Sequence, residues 1–249
     1  MLAEKAIDWH LIDVDLPGKA NLEADYLKLN PLGVVPTLVE DGRAVIESSI
    51  ICEYLEDRFP LPTLRPTDAW QVARMRYWMK HIDNKLHPSC GALQWPLVMA
   101  DKLRQLSAAE QDAMIERVVE KPRRERQRRL LKLGYEAPDV LDAVAVYQAT
   151  LVEMDEVLAT QPWLAGSDFS LADAAMAPYF QTLEQFGWSA WYALRPRVAE
   201  WYANVRSRPS YQSAVTADYS AGKLADLAAR GAPAWLKIKA LLAERGIAA

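Results

Sequence analysis

The chain has 249 residues, 51% of them apolar, with a formal net charge of -4 and a pI near 5.5. That is enough apolar material for one large domain or two small ones, and the slightly acidic balance leaves no global basic field, which argues against a general nucleic-acid or heparin-binding role. No apolar run approaches the roughly 18 residues that span a bilayer, and the start, Met1-Leu2-Ala3-Glu4-Lys5, lacks a signal peptide's apolar core. A soluble cytoplasmic protein without membrane contact is expected.

In chain order, residues 10 to 16 alternate, with Ile12, Val14 and Leu16 on one face and Leu11, Asp13 and Asp15 on the other, the period of a half-buried strand ended by Pro17-Gly18. A polar, partly helical stretch leads to Asn30-Pro31-Leu32-Gly33-Val34-Val35-Pro36. Two short β-prone runs follow, Thr37 to Val39 and Arg43 to Ile46, on either side of Glu40-Asp41-Gly42. This predicts a β-hairpin, because Asp-Gly readily supplies the positive φ of a tight turn. Ser48 or Ser49 is expected to cap a helix carrying Ile51, Tyr54, Leu55 and Phe59 and closed by Pro60.

Three prolines between Phe59 and Pro66 mark a domain boundary, since strand signals almost vanish beyond them. Val72, Met75, Met79, Ile82 and Leu86 recur at helical spacing, as do Val140, Val144, Tyr147, Leu151, Met154 and Leu158, and these stripes read as ordinary core. Ser170-Leu171-Ala172-Asp173 opens a further helix with a variant capping box. Between Arg117 and Lys132 runs a dense basic segment that reads either as a solvated helical face or as a docking surface for an anionic substrate or partner.

Cys52 and Cys90 form no Cys-x-x-Cys pair and read as structural thiols, while His10, His81 and His87 lack metal-ligand spacing, so no metal site is expected. The informative constellation is Val35-Pro36 at the head of the hairpin and Glu47-Ser48 at the start of the next helix. With a cis bond to Pro36, the backbone N–H and C=O of Val35 would be free to pair with an extended peptide. A helix N-terminus with the Ser48 hydroxyl suits a carboxylate, and Glu47 suits an ammonium group. Together they would grip an amino-acid head.

In order and spacing this region resembles the glutathione transferase family, whose Asn-Pro-x-Gly-x-Val-Pro segment, hairpin and Glu-Ser or Gln-Ser helix start form the glutathione site. The resemblance extends through Arg65-Pro66-Thr67-Asp68, the Ser170 to Asp173 cap and Arg208-Pro209-Ser210-Tyr211. It implies an α/β thioredoxin-like N-terminal domain over residues 1–62, incomplete, and an all-α C-terminal domain over residues 63–249. It also implies glutathione as co-substrate, a small hydrophobic electrophile and a homodimer. Carried over by residue, Val35 would pair with the cysteinyl backbone, Pro36 would be the cis-proline, and Glu47 and Ser48 would hold the γ-glutamyl ammonium and carboxylate.

Two departures stand out. Val34 replaces a residue that is often long and polar or basic in the family. Leu2 to Ile7 resembles the closing segment of the family's first helix, so the preceding strand and the turn carrying the sulfur-binding Ser, Cys or Tyr are missing, and no catalytic residue is named. The favoured reading is a start site assigned too late or a truncated chain; a noncatalytic relative or a surrogate strand are the others. Loss of that strand would leave neighbouring strand edges unpaired.

The implied reaction is attack of glutathione thiolate on an electrophilic carbon. Ile51 to Asp57, Arg74 to Lys80 and the charged segment before residue 140 are similar to the bacterial β-etherase subgroup, which displaces an aryloxide from the carbon beside a ketone. Tyr77, Trp78 and Trp95 are aromatic at helical positions and read first as core. A noncatalytic binding or dimerisation module is the alternative. A thioredoxin-type disulfide oxidoreductase is the weakest reading, because its cysteine pair is absent.

Overall fold

The fold is described by a computed structural model covering residues 1–244 and 246, so the last positions of the expected helical domain, 245 and 247–249, lie outside the described residues. The chain opens with a tight turn in which the Lys5 amide donates to the Met1 carbonyl at 3.1 Å. Residues 7 to 15 then run without regular structure. The strand expected over residues 10 to 16 does not form. Its alternation has the right period, but a strand also needs a neighbour to complete its backbone pairing. The only sheet among the described residues is a two-stranded hairpin that does not include this segment. Leu11 and Ile12 consequently stay exposed.

A 3-10 turn at Ala20–Leu22 and a short helix α1 (Ala24–Leu29) lead to the hairpin. Strands β1 (Thr37–Glu40) and β2 (Arg43–Ile46) pair antiparallel, with Thr37 opposite Ile46 and Glu40 opposite Arg43. Glu40 therefore belongs to the strand, and the turn is Asp41-Gly42 alone, with φ of 50° and 77°. Positive φ at both central residues matches the right-handed twist of the strands, which is what this dipeptide favours. Helix α2 (Ser48–Arg58) follows directly.

The rest is helical: α3 (Ala69–His81), a π-helical turn (Ile82–Leu86), α4 (His87–Val98), α5 (Ala100–Arg104), α6 (Ala108–Glu116), α7 (Lys121–Leu133), α8 (Pro138–Val157), α9 (Leu171–Gln185), α10 (Ala190–Ala193), α11 (Pro196–Ser207), α12 (Pro209–Ala214) and α13 (Ala221–Glu244). Local chemistry starts several of them. Asp68 caps α3 through the Gln71 amide at 3.0 Å, Ser107 and Glu110 form a capping box on α6, and prolines occupy the first turns of α7, α8, α11 and α12. The stripe on α3 continues through the π turn, and Met75, Met79, Ile82 and Leu86 are all buried in one core with Val140, Val144, Leu151 and Met154 of α8. Trp78, Trp188, Trp191 and Trp201 fill it.

Asp173 organises one end of that core. Its carboxylate accepts from the amides of Leu164 at 2.9 Å and Ser170 at 3.0 Å, from the Ser170 hydroxyl at 2.9 Å and from Trp201 Nε1 at 2.8 Å. Burial pushes its pKa up while these four donors pull the other way. The capping box thus does more than start α9: it ties the loop before the helix and α11 to a single carboxylate.

The opening turn is riveted by charge to the end of α2, the segment after it and the helical part of the chain. Lys5 Nζ donates to the carbonyls of Phe59 and Pro62, each at 2.8 Å, and meets Glu56 at 2.6 Å with both side chains buried. An ammonium has three protons, and here all three find acceptors. Glu56 also accepts from Thr63 Oγ1 at 2.9 Å and the Leu64 amide at 3.1 Å. Next to it, Glu4 receives two bonds of 2.7 Å from Arg208, whose guanidinium lies 3.8 Å from the Phe169 ring centroid. Burial works against ionisation of Glu4, but Arg208 and Ser210 outweigh it and hold the carboxyl below its ordinary value.

Candidate functional site

The hairpin register decides the site. Because Thr37 pairs with Ile46, Val35-Pro36 entering β1 and Glu47-Ser48 leaving β2 lie at the same end of the sheet. Antiparallel partners stand about 5 Å apart, so the two dipeptides are neighbours although eleven positions apart in sequence. The structure therefore brings together all four residues singled out from the sequence.

The loop before β1 is pinned from behind. The Gly33 carbonyl accepts from Asn21 Nδ2 at 2.6 Å, and the Val34 carbonyl from Tyr26 OH at 2.6 Å and from Asn30 Nδ2 at 2.8 Å. Gly33 has φ of 61°, and a Cβ there would fall 2.6 Å from the Leu22 side chain, so the position requires glycine. Val34, short and apolar, contributes this carbonyl to the pin. The Val35-Pro36 bond is cis, and Val35 is 40% exposed with no backbone hydrogen bond to another described residue.

Glu47 has φ of 68° and ψ of 115°, a sparsely populated positive-φ conformation that costs a non-glycine residue of order 1–3 kcal/mol and persists only where its surroundings impose it. Its carboxylate is exposed and makes no ion pair or hydrogen bond with the described residues. Helix α2 has no side-chain cap, which corrects the expectation that Ser48 or Ser49 caps it. The reason is positional: both serines lie inside the helix, where their backbone is already helical, and Glu47 occupies the cap position. Ser48 keeps an exposed hydroxyl, while Ser49 Oγ donates to Asp83 Oδ2 at 2.6 Å in the π turn of the helical domain. The result is an edge with open helix N–H groups, a free hydroxyl, a free carboxylate and free strand-like backbone.

Across the domain junction, His87 Nδ1 lies 3.1 Å from Tyr179 OH with the rings edge to face. Burial pushes the His87 pKa down, and the charges of Arg123 and Arg126 add to the effect. Trp78 and Trp95 are buried core, as read from their spacing, and Tyr77 is exposed with its hydroxyl on Glu153 at 3.1 Å. Cys52 and Cys90 are free thiols pushed up by burial, so neither has thiolate character. Asp83 was not found by sequence reasoning, and His87 was weighed only as a metal ligand, since the wide helical turn that positions both is invisible in residue spacing.

Two clefts of about 380 Å³ and 350 Å³, one between α6 and α7 and one beside Arg197 and Trp201, include none of these residues. Residues 1–58 match the glutathione S-transferase N-terminal domain, and residues 113–204 match the glutathione S-transferase C-terminal domain. The chain is 31% identical over 221 residues to glutathione S-transferase 3 of Zea mays, covering 87% of this chain and 86% of that protein. It is 29% identical over 216 residues to protein LigF of a Sphingobium species, covering 84% of each. The crystal structure of beta-etherase LigF from Sphingobium sp. strain SYK-6 superposes with a TM-score of 0.77 at 26% identity, over 85% of this chain and 90% of that one.

Proposed function

Since this chain belongs to the glutathione S-transferase family, we propose that it joins the sulfur of glutathione to a hydrophobic, aromatic electrophile, with cleavage of a β-aryl ether as the leading reaction. Glutathione is the co-substrate. One observation carries the reading: the hairpin register sets Val35, Pro36, Glu47 and Ser48 at one edge, with the Val35 backbone, the Glu47 carboxylate and the Ser48 hydroxyl unpaired among the described residues. In this reading the Val35 backbone pairs with the cysteinyl unit beside the cis Pro36. The Glu47 carboxylate holds the γ-glutamyl ammonium, and the Ser48 hydroxyl with the open α2 amides holds its carboxylate.

A free thiol ionises near pH 8.5, so only a few per cent is thiolate at neutral pH, and holding the tripeptide in place supplies proximity to the carbon under attack. The thiol proton passes to solvent, the sulfur forms a C–S bond at the carbon beside the ketone, and the C–O bond breaks. The aryloxide leaves with the electron pair and takes a proton from water. We also assign the protein to the cytoplasm as a homodimer. Among the described residues no helix is long and apolar enough to cross a membrane, and Ile50, Leu61 and Trp70 are exposed apolar side chains available to a second copy.

Calorimetric titration with glutathione tests the site. Saturable binding is expected, weakened about tenfold or more in Glu47→Ala, as for the loss of a charge-assisted bond. A folded chain that takes no glutathione would sink the assignment of these four residues.

A further inference from the structure

The basic segment from Arg117 to Lys132 separates into three kinds of residue once folded: paired arginines, the exposed and unpaired Lys121 and Lys132, and two half-buried arginines without partners. Arg117 pairs with Glu23, Arg124 with Glu116, Arg128 with Glu116 and Glu125, and Arg129 with Asp139. These need no further partner. Arg123 and Arg126 differ: both are half-buried, and neither has a hydrogen bond or an ion pair with the described residues. Only the longer-range attraction of Glu120 and Asp139 reaches them, and burial lowers both of their pKa values.

A third unpaired and buried cation, Lys19, lies in the opening part of the chain within electrostatic reach of Arg123. Lys19 is 7% exposed, has φ of 64° and makes no side-chain hydrogen bond or ion pair with the described residues. Burial depresses its ammonium, and the charges of Arg123 and Arg117 depress it further. The Arg117–Glu23 bridge at 2.8 Å fixes the Lys19 loop against this part of the helical domain. A guanidinium nitrogen of Arg126 lies 3.9 Å from where a Cβ of Gly91 would be, and His87, one turn earlier on the same face of α4, feels both arginines.

The arrangement violates several local rules together. Beyond the Glu120 cap, the first turn of α7 holds cations and no acid, although the helix dipole favours acids there. A lysine sits buried in a conformation suited to glycine. Lys19 and Arg126 both feel the charge of Arg123, and none of the three has an acid within ion-pair distance among the described residues. Such conflicts concentrate where a ligand resolves them. Partial burial favours a compact anion over a nucleic acid or an acidic protein surface, which would need exposed cations.

We propose that Lys19, Arg123 and Arg126 form an anion subsite that takes the carboxylate of an aromatic electrophile, so that the second substrate is an aryl acid. The idea rests on the glutathione transferase reading only for the reacting partner; the subsite itself stands on the three unpaired cations. Glutathione carries a glycyl carboxylate of the same chemistry, and the test separates the two sources.

The probes are 4-chloro-3-nitrobenzoate and its methyl ester, titrated separately into the whole chain by calorimetry, with glutathione titrated in parallel. The acid is expected to bind at least tenfold more tightly than the ester. In Arg123→Gln/Arg126→Gln that preference disappears while the glutathione Kd stays within about twofold, and in Arg123→Lys/Arg126→Lys part of it remains. Far-ultraviolet circular dichroism and a melting curve establish that both variants are folded. Equal binding of acid and ester by the unaltered chain overturns the proposal. So does a parallel loss of acid and glutathione binding in the glutamine variant, which assigns the cations to glutathione itself. Acid preference without any glutathione binding would instead remove the proposed function and leave the subsite standing.

Discussion

The two parts of the molecule are held together by different forces. Beyond residue 63 a continuous apolar core buries tryptophans, tyrosines and methionines from most of the helices. Before it, Ile51 and Leu55 are the buried apolar side chains, and Lys5, Lys19, Asn21, Asn30 and Glu56 are buried polar ones. The helical part is stabilised mainly by area removed from water, at roughly 25 cal/mol per Å². The opening part depends on directional bonds that fail singly and completely, because a buried charge left without its partner keeps its desolvation cost.

That contrast is open to direct attack. The largest effect is expected from Asp173→Ala, where polar and apolar architecture meet: four donors lose their acceptor inside the core, at about 4 kcal/mol. A melting curve should fall by roughly 10 °C, at about 2–4 °C per kcal/mol for a chain of this size class. Lys5→Met should cost about 3 kcal/mol by stranding Glu56, and Lys5→Met/Glu56→Leu should recover part of that in denaturant unfolding. If the double variant is no better than the single one, the opening turn is held by packing and not by the pair.

A smaller effect concerns Glu4. Its carboxyl is held below the ordinary value of 4.5, so its stabilisation is complete above that pH and is lost as pH falls through the lower folded value. Acid unfolding followed by tryptophan fluorescence should show this step, and Arg208→Ala should remove it at a cost of about 1–2 kcal/mol at neutral pH. The smallest effect has the opposite sign. Arg123→Gln removes an unpaired, half-buried cation, so stability should hold or rise by about 0.5 kcal/mol, whereas any paired core residue would lose. A clear drop in melting temperature would show that Arg123 has a structural partner after all.

Much of the helical part was legible because its determinants are local. The stripe from Met75 to Leu86, the box at Ser170 and Asp173, and the Asp41-Gly42 turn each depend on residues within one or two turns of each other. The candidate site was legible for a related reason, since a two-residue turn leaves a single register that sets Val35 and Glu47 side by side. Residues 10 to 16 misled because alternation records which faces differ in polarity, not whether a neighbouring strand exists.

What the sequence determined by itself was therefore periodicity, turn chemistry and the spacing of the four residues, all set by sterics and by hydrogen bonds closed over a few positions. Only the tertiary structure decided which charges find partners. Lys5 reaches Glu56, 51 positions away, Glu4 reaches Arg208, and Lys19 feels the charge of Arg123 while making no ion pair with the described residues. Such pairings arise from how helices and loops pack in space, and no local pattern of residues encodes them.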